Sequence, residues 1–469
     1  METLLVVGHG GREHAIARKL LASPRVARVY CAPGNAGMVR DGIELAPLDI
    51  MDFPAIARFC REHDVAWVFV GSEDPLAAGI VDYLREARIP AVGPTAAAAR
   101  IEASKSFAKR IMAARRVPTA RSRTFSSFDA ALAFARAHDF STPFVVKADG
   151  LAAGKGVTIA ADATTAQNAL AAIFSTTPTA TSPVSSTSRV VAEHCADSAG
   201  LAEAADQATA SAGAEDGTEA EASTRVVVEE YLEGQEFSLF HLVGPRSMVR
   251  LGVSQDHKRA FTGDRGPNTG GMGAYTPVPQ ISEAVIARAE REIVAPVLAE
   301  MRAQGCPFTG MLYSGLMLTA QGPKVIEFNC RFGDPETQVL LEQMDSDLAE
   351  VVERVAAEET PEIRWRNGFT VGIMAAADGY PGTPLRGFPL GDLPNLEAPA
   401  AGAPTGGVHV YFSGVAAGPD GYTADGGRLF MAVCHSADLR AARDRALGYL
   451  DGLKLEHVFY HRDIAARAL

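Results

Sequence analysis

Apolar and polar positions alternate in blocks along the first hundred residues. Leu4-Leu5-Val6-Val7, Val26 to Cys31 and Val65-Ala66-Trp67-Val68-Phe69-Val70 are short apolar runs, each closed by a glycine-containing or polar loop and separated by helix-forming stretches. Strands alternating with helices predict a parallel sheet covered by helices, an N-terminal α/β domain over residues 1–103. Near the other end, Phe369 to Ala376, Gly407 to Ser413 and Arg428 to Cys434 read as strands, and Ala437 to Leu450 as an amphipathic helix. They predict a small α+β domain over 364–469. The pattern fails between 176 and 224, where Thr, Ser, Ala and Pro dominate Thr176 to Ser188 and Ala, Glu and Asp dominate Ala199 to Ser223. Such a stretch buries too little surface to offset its ordering entropy, so it reads as a partly disordered surface insertion, with one short element around Arg189 to Cys195.

Composition narrows the class without naming an activity. A chain of 469 residues, 47% hydrophobic and 21% charged, can bury sizeable cores; its length suggests roughly two to four domains. The formal net charge of −12 argues against a broad nucleic-acid surface and leaves small molecules as the expected partners. Six scattered cysteines show no C-x-x-C pair and no metal-ligand spacing, which fits reduced thiols in a cytoplasmic protein. Met1 to Val7 enters an apolar strand without a basic leader, and no apolar run approaches a membrane span. Membrane anchoring is not expected.

Four polar patterns interrupt the apolar ones. In Val325-Ile326-Glu327-Phe328-Asn329, a carboxylate and a carboxamide two residues apart on a strand share one face. Two hard oxygen ligands suit Mg²⁺, although taken alone the pair reads better as a strand end with two solvated polar residues before a Gly-Asp-Pro turn. Gly8-His9-Gly10-Gly11-Arg12-Glu13-His14 lets backbone N–H groups approach an anion at a helix start, or merely permits a tight turn. Glu13 stands where a dinucleotide fingerprint needs glycine, so NAD is disfavoured. Lys147 sits near the end of the strand Pro143 to Ala148, where a cation needs anionic partners such as phosphates. The loop Gly150-Leu151-Ala152-Ala153-Gly154-Lys155-Gly156-Val157 lacks the Ser or Thr of a P-loop after Lys155. It reads as a hinged phosphate cover or as a glycine-rich hairpin. Val226 to Glu236 runs from a strand into a linker able to hydrogen-bond a base, with Glu236 placed for ribose hydroxyls; solvated acids at a strand end are the alternative.

Taken in order, these blocks resemble the ATP-grasp ligases and, within them, the phosphoribosylamine–glycine ligases of purine biosynthesis. The resemblance covers nearly the whole chain. It is carried by Gly8 to His14, Ala32-Pro33-Gly34-Asn35-Ala36-Gly37, Lys147 to Val157, Ser254-Gln255-Asp256-His257-Lys258-Arg259, Gly266-Pro267-Asn268-Thr269-Gly270-Gly271-Met272-Gly273-Ala274-Tyr275 and Glu327 to Gln338. It implies an N-terminal parallel-sheet domain, an ATP-grasp domain over 104–355 with a lid subdomain at about 120–228, and a C-terminal α+β domain. The implied reaction joins glycine to 5-phosphoribosylamine with cleavage of ATP to ADP and phosphate, through a glycyl phosphate.

The resemblance also implies roles. Lys105, Lys147 and the loop bearing Gly150, Gly154, Lys155 and Gly156 would meet the nucleotide phosphates; Glu229, Glu230, Tyr231 and Leu232 would frame the adenine, and Glu236 would hold the ribose. Glu327 and Asn329 would ligate Mg²⁺ or Mn²⁺. Arg331 would stabilise the transferring phosphoryl group, and Asp334 would orient the glycine ammonium. Gly10, Gly11, Arg12, Glu13, Asn35, Lys258, Asn268, Thr269, Gly270 and Gly271 would form the substrate side. A monomer acting on small molecules is the expectation. Ser72 departs from the proline usual in its segment, and the 176–224 insertion replaces a short connection in the closing domain. Another ATP-grasp carboxylate–amine ligase and a non-catalytic nucleotide-binding regulator are the alternatives. The Gly8 and Pro267 blocks argue against the first, and the intact lysines and metal ligands against the second.

Overall fold

The computed structural model describes residues 1–151, 156–175, 224–398 and 405–469. Gly154, Lys155 and the expected element around Arg189 to Cys195 lie outside the described residues.

The apolar runs of the N-terminal domain pair as a five-stranded parallel sheet in the order Glu44–Leu45, Val26–Pro33, Glu2–Gly8, Val65–Val70, Ala91–Val92. Leu4 to Val7 are fully buried because helices cover both faces. Gly8 ends the central strand at φ +136°, and an added Cβ would lie 2.5 Å from Glu13 Cγ. Only glycine lets the chain turn there into the helix Gly11–Leu21.

The region expected to act as the lid is a four-stranded antiparallel sheet ordered Ser122–Phe125, Val226–Glu230, Phe144–Ala148, Val157–Ala160. Its own apolar cluster packs beneath the helices Phe128–Arg136 and Ala163–Ser175. Asp149, just beyond the strand that bears Lys147, ties the lid to the start of the helix Lys105–Ala114. It accepts from Ser106 N at 3.1 Å, Ser106 Oγ at 2.6 Å and Ser104 Oγ at 3.1 Å. A carboxylate at exposed helix N–H groups is a favourable anchor.

One nine-stranded sheet carries the rest. Its continuous path runs Gly322–Asn329, Gly310–Thr319, Gln235–Val243, Met248–Asp256, Gly273–Thr276, Phe369–Ala377, Arg428–Ser436, Thr405–Phe412, with Val458–Phe459 beside Phe369–Ala377. Gly273–Thr276 pairs antiparallel with Phe369–Ala377, so hydrogen bonding passes without a break into the C-terminal region. Side chains reinforce that join. Arg428 Nη1 donates to the carbonyls of Gly270 and Asp334, each at 2.7 Å, and the Gly270 N–H donates to Tyr380 Oη at 2.9 Å.

A second join links both ends of the chain. Glu342, on the helix Glu336–Gln343, accepts from Tyr411 Oη at 3.0 Å and pairs with Arg18 at 3.2 Å and His409 at 2.8 Å. Nearby, the Phe412 N–H donates to His14 Nδ1 at 2.9 Å, which leaves the ring proton on Nε2 to donate to Asp41 at 3.1 Å. Burial would raise the Glu342 carboxyl, but His409, Arg18 and Tyr411 outweigh it and bring it from 4.5 to about 2.

Two predictions follow from these joins. A folded-state pKa below the ordinary value means that the contribution of Glu342 is complete above about pH 4.5 and lost as pH falls towards 2, a term of about 3 kcal/mol. Glu342→Gln should remove most of that acid-dependent loss, and urea midpoints measured between pH 7 and pH 3 check it. Arg428→Ala should speed amide hydrogen exchange at Gly270 to Met272 by about tenfold or more while leaving the lid strands unchanged. Mass-spectrometric exchange reads both regions.

Candidate active site

A single cleft lies between the lid, the large sheet and the N-terminal domain, and Glu327 and Asn329 line its floor. In an unbroken strand Val325 and Glu327 would face the same way. The ladder instead pairs Gly315 with Glu327 and Leu316 with Val325, so Ile326 is bulged out. The bulge sends Val325 into the core and Glu327 into the cleft. It also frees the Ile326 carbonyl, which accepts from Lys147 Nζ at 3.0 Å.

Burial would raise the Glu327 carboxyl, yet Lys258, Lys147, Lys105 and Arg331 together hold it below the ordinary range. It is therefore ionised. The Asn329 amide nitrogen is buried without a hydrogen-bond partner, so the carboxamide is not anchored through its N–H groups, and Oδ1 is the atom that would meet a cation. An ionised carboxylate and a free carboxamide, two hard donors on one strand, fit a divalent cation.

The cations above the floor are held by acids from neighbouring strands. Glu229 takes Lys147 at 2.9 Å and Lys109 at 3.1 Å, while Glu236 takes Lys258 at 3.3 Å. Among the described residues Lys105 pairs with no acid; its Nζ donates to the Gly150 carbonyl at 2.8 Å. Burial lowers the Lys105 pKa, with Glu327 opposing and Lys147 adding to the fall. Gly150 meets nothing within 4 Å where a Cβ would stand, and Gly156 closes the loop on the cleft wall. Glu230 turns outward to Arg121 at 2.7 Å, and Tyr231 and Leu232 continue along the rim. Burial pushes Asp256, beside this group, up to about 7 against Lys258, with Glu336, Glu236 and Glu327 adding to the rise.

The opposite end is built from alternating charges. Arg12 Nε meets Glu13 at 2.7 Å and Arg12 Nη2 meets Glu73 at 3.5 Å. Glu73 also takes Arg331 Nε at 3.2 Å, and Arg331 Nη2 reaches Glu102 at 3.0 Å. Both arginines donate to the Phe332 carbonyl at 3.1 Å. Burial opposes ionisation of Glu73, but Arg331 and Arg12 bring its carboxyl down to about 2. Asp334 is paired with Arg428 at 3.3 Å and accepts from Gln338 Nε2 at 2.9 Å.

The cleft thus gathers most of the side chains singled out in the sequence, including Arg12, Asn268, Thr269 and Gly270. Gly10, Gly11, Glu13, Asn35 and Gly271 stand behind its wall and shape it. Glu13 accepts from the Gly10 N–H at 2.7 Å, and Asn35 donates to the carbonyls of His9 and Phe412 at 2.8 and 3.0 Å. Gly271, at φ +109°, packs where a Cβ would lie 2.3 Å from Pro335 Cδ. Sequence reasoning missed Glu73, Glu102, Lys109, Asp256 and Arg428 as cleft residues. Glu102 alone carried a local signal, an acid in the last turn of the helix Ala96–Ala103, where the helix dipole disfavours it.

Three family models match in succession: the phosphoribosylglycinamide synthetase N domain over residues 2–102, its ATP-grasp (A) domain over 103–202 and 190–337, and its C domain over 370–467. Phosphoribosylamine–glycine ligases of Streptococcus pyogenes serotype M18 and Streptococcus pneumoniae serotype 4 are 41% and 42% identical over 469 residues, covering 99% of each chain. The crystal structure of the phosphoribosylamine–glycine ligase of Thermotoga maritima superposes with a TM-score of 0.74 at 28% identity, covering 99% of this chain and 100% of that one. The biotin carboxylase domain of the Hydrogenobacter thermophilus 2-oxoglutarate carboxylase, solved with MgADP, shares the fold at 14% identity and a TM-score of 0.64 over 98% of this chain and 91% of its own. The matched models, the full-length relatives and the cation-lined cleft agree: the chain belongs to the phosphoribosylamine–glycine ligase family, ATP-dependent carbon–nitrogen ligases of purine biosynthesis.

Proposed function

We propose that this cleft joins glycine to 5-phosphoribosylamine by way of glycyl phosphate, giving glycinamide ribonucleotide, ADP and phosphate. The observation that carries the reading is the convergence of Lys105, Lys147, Lys258 and Arg331 on the Glu327 and Asn329 floor, beside the Arg12–Glu73 pair of the N-terminal domain. A carboxylate is a poor electrophile. Transfer of the γ-phosphoryl group of ATP to a glycine carboxylate oxygen, with ADP leaving, turns it into an acyl phosphate. The amine of 5-phosphoribosylamine then forms the new C–N bond as phosphate leaves and the nitrogen loses a proton. Positioning and charge neutralisation carry most of such a reaction.

The residues divide that work. Lys105 and Lys147 neutralise nucleotide phosphates, with Gly150, Gly154, Lys155 and Gly156 as their cover. Glu229 to Leu232 and Glu236 frame the nucleoside. Glu327 and Asn329 would hold Mg²⁺ or Mn²⁺, which supplies further neutralisation of phosphate charge when bound. Arg331 stabilises the phosphoryl group in flight, and Asp334 orients the glycine ammonium. Arg12 and the Asn268 to Gly271 loop receive 5-phosphoribosylamine, and Lys258 takes phosphate from either substrate. Gly10, Gly11, Glu13 and Asn35 hold that side in shape. The reading goes with a cytoplasmic monomer on small-molecule substrates. The buried, unpaired thiols of Cys31, Cys60, Cys306, Cys330 and Cys434 support a reducing compartment, and among the described residues no helix is long and apolar enough to cross a membrane.

ADP release with ATP and Mg²⁺ should require glycine and 5-phosphoribosylamine together; release independent of either substrate would sink the assignment. Arg331→Ala should lower kcat by about 100-fold or more with the fold intact. Turnover within a few-fold of wild type would remove the arginine from the mechanism. Light scattering should return the mass of one chain.

A further inference from the structure

Glu102 occupies an unfavourable position for an acid. It lies in the last turn of the helix Ala96–Ala103, beside carbonyl ends that repel a carboxylate, and it is buried. Pairing there is weak evidence for a contribution to stability, because desolvation offsets much of the attraction. The contacts point to another role. One carboxylate oxygen takes Arg331 Nη2 at 3.0 Å; the other accepts from Cys330 N–H at 2.7 Å and from the Cys330 thiol at 3.1 Å. A single side chain of the N-terminal domain therefore grips the backbone and the guanidinium of two consecutive residues. They directly follow the strand that bears Glu327 and Asn329.

Donor accounting sharpens the picture. A guanidinium has five N–H groups. In Arg331, Nε–H goes to Glu73 and one Nη1–H to the Phe332 carbonyl, while Nη2 is ion-paired with Glu102 at 3.0 Å. Two hydrogen bonds and one ion pair, on three different nitrogens, hold the plane of the group. Glu102 is also three residues from Lys105, through Ser104, which caps the next helix. The same short segment thus sets a phosphate-facing lysine and the arginine opposite it.

We propose that Glu102 is a positioning residue for phosphoryl transfer, acting by holding Arg331 and the Cys330 backbone so that the guanidinium faces the transferring group. The inference rests on the role given to Arg331 above. A residue acting only through Arg331 has no effect once Arg331 is gone. Glu102→Gln keeps an acceptor for the Cys330 N–H and removes the charge that orients the guanidinium. It should lower kcat by about 10- to 100-fold while leaving KM for ATP and the Kd for MgADP within about threefold. The double variant E102Q/R331A should turn over within about twofold of R331A alone.

Losses that multiply in the double variant, or a raised KM for ATP with kcat unchanged, would overturn the proposal. Should E102Q fail to fold, judged by its melting curve, Glu102→Asp enters the same cycle. A crystal structure of the Glu102 variant supplies a readout without turnover: the Arg331 guanidinium should leave its wild-type plane while the Glu327 and Asn329 backbone stays in place. An unmoved guanidinium overturns the inference. Failure of the proposed reaction would instead appear in wild-type enzyme, as ADP release that needs neither substrate.

Discussion

A cleft that gathers Lys105, Lys109, Lys147, Lys258, Arg12, Arg331 and Arg428 cannot be buried unless most of these cations are compensated before any ligand arrives, and this constraint orders the structure around it. An uncompensated buried ion costs several kcal/mol. The counter-charges come from distant parts of the chain. Glu229 serves two lysines at once, Glu236 serves Lys258, Glu73 is shared between two arginines, and Asp334 takes Arg428. Lys105 is the exception, with a main-chain carbonyl instead of an acid. Burial lowers its pKa, as it lowers that of Lys109.

The same pairs act as joints. Arg331 lies just past a strand of the large sheet, but both acids that hold it come from the N-terminal domain. Arg428 belongs to the C-terminal region, but it holds the Gly270 loop and the Asp334 turn. The continuous sheet makes that contact geometrically dependable. A residue presented by a strand in register is placed more accurately than one on a free loop. The lid is tied differently, by Asp149 at the start of the helix that bears Lys105. That anchor links Gly150, which follows Asp149, to the helix that bears Lys105.

What was legible in the sequence follows the range of the interactions. Short apolar runs bounded by glycine-containing or polar loops placed the strands around Val6, Lys147 and Glu327, because such runs are local. The Glu327 and Asn329 pair was readable for the same reason, although the bulge at Ile326 was not: it depends on register against Gly315. Glu13 and Asn35 were expected to meet substrate, and the structure shows them engaged with nearby backbone. Carboxylates and carboxamides suit caps as well as ligands, so residue type alone could not separate the two. Glu102 and Arg428 find their partners 229 and 94 residues away. No window of local pattern reaches so far, and the passage of one sheet into the C-terminal region was hidden for the same reason.

The sharing of Glu73 bears on how the substrate side is built. Two guanidiniums that face one carboxylate repel each other, and the coupling appears in the opposing influence of Arg331 on Arg12. Glu102 and Glu13, at the two ends, complete an alternation in which each arginine lies between two acids. In such a chain the central carboxylate screens both cations, while each outer one fixes a single guanidinium. The positions of Arg12 and Arg331 are therefore correlated through Glu73, and each is set individually by its outer acid. On the proposed assignment, a phosphorylated substrate approaching Arg12 would alter the field at Arg331 through that shared group. Occupancy of the proposed amine site would then be felt electrostatically at the residue proposed to meet the phosphoryl group.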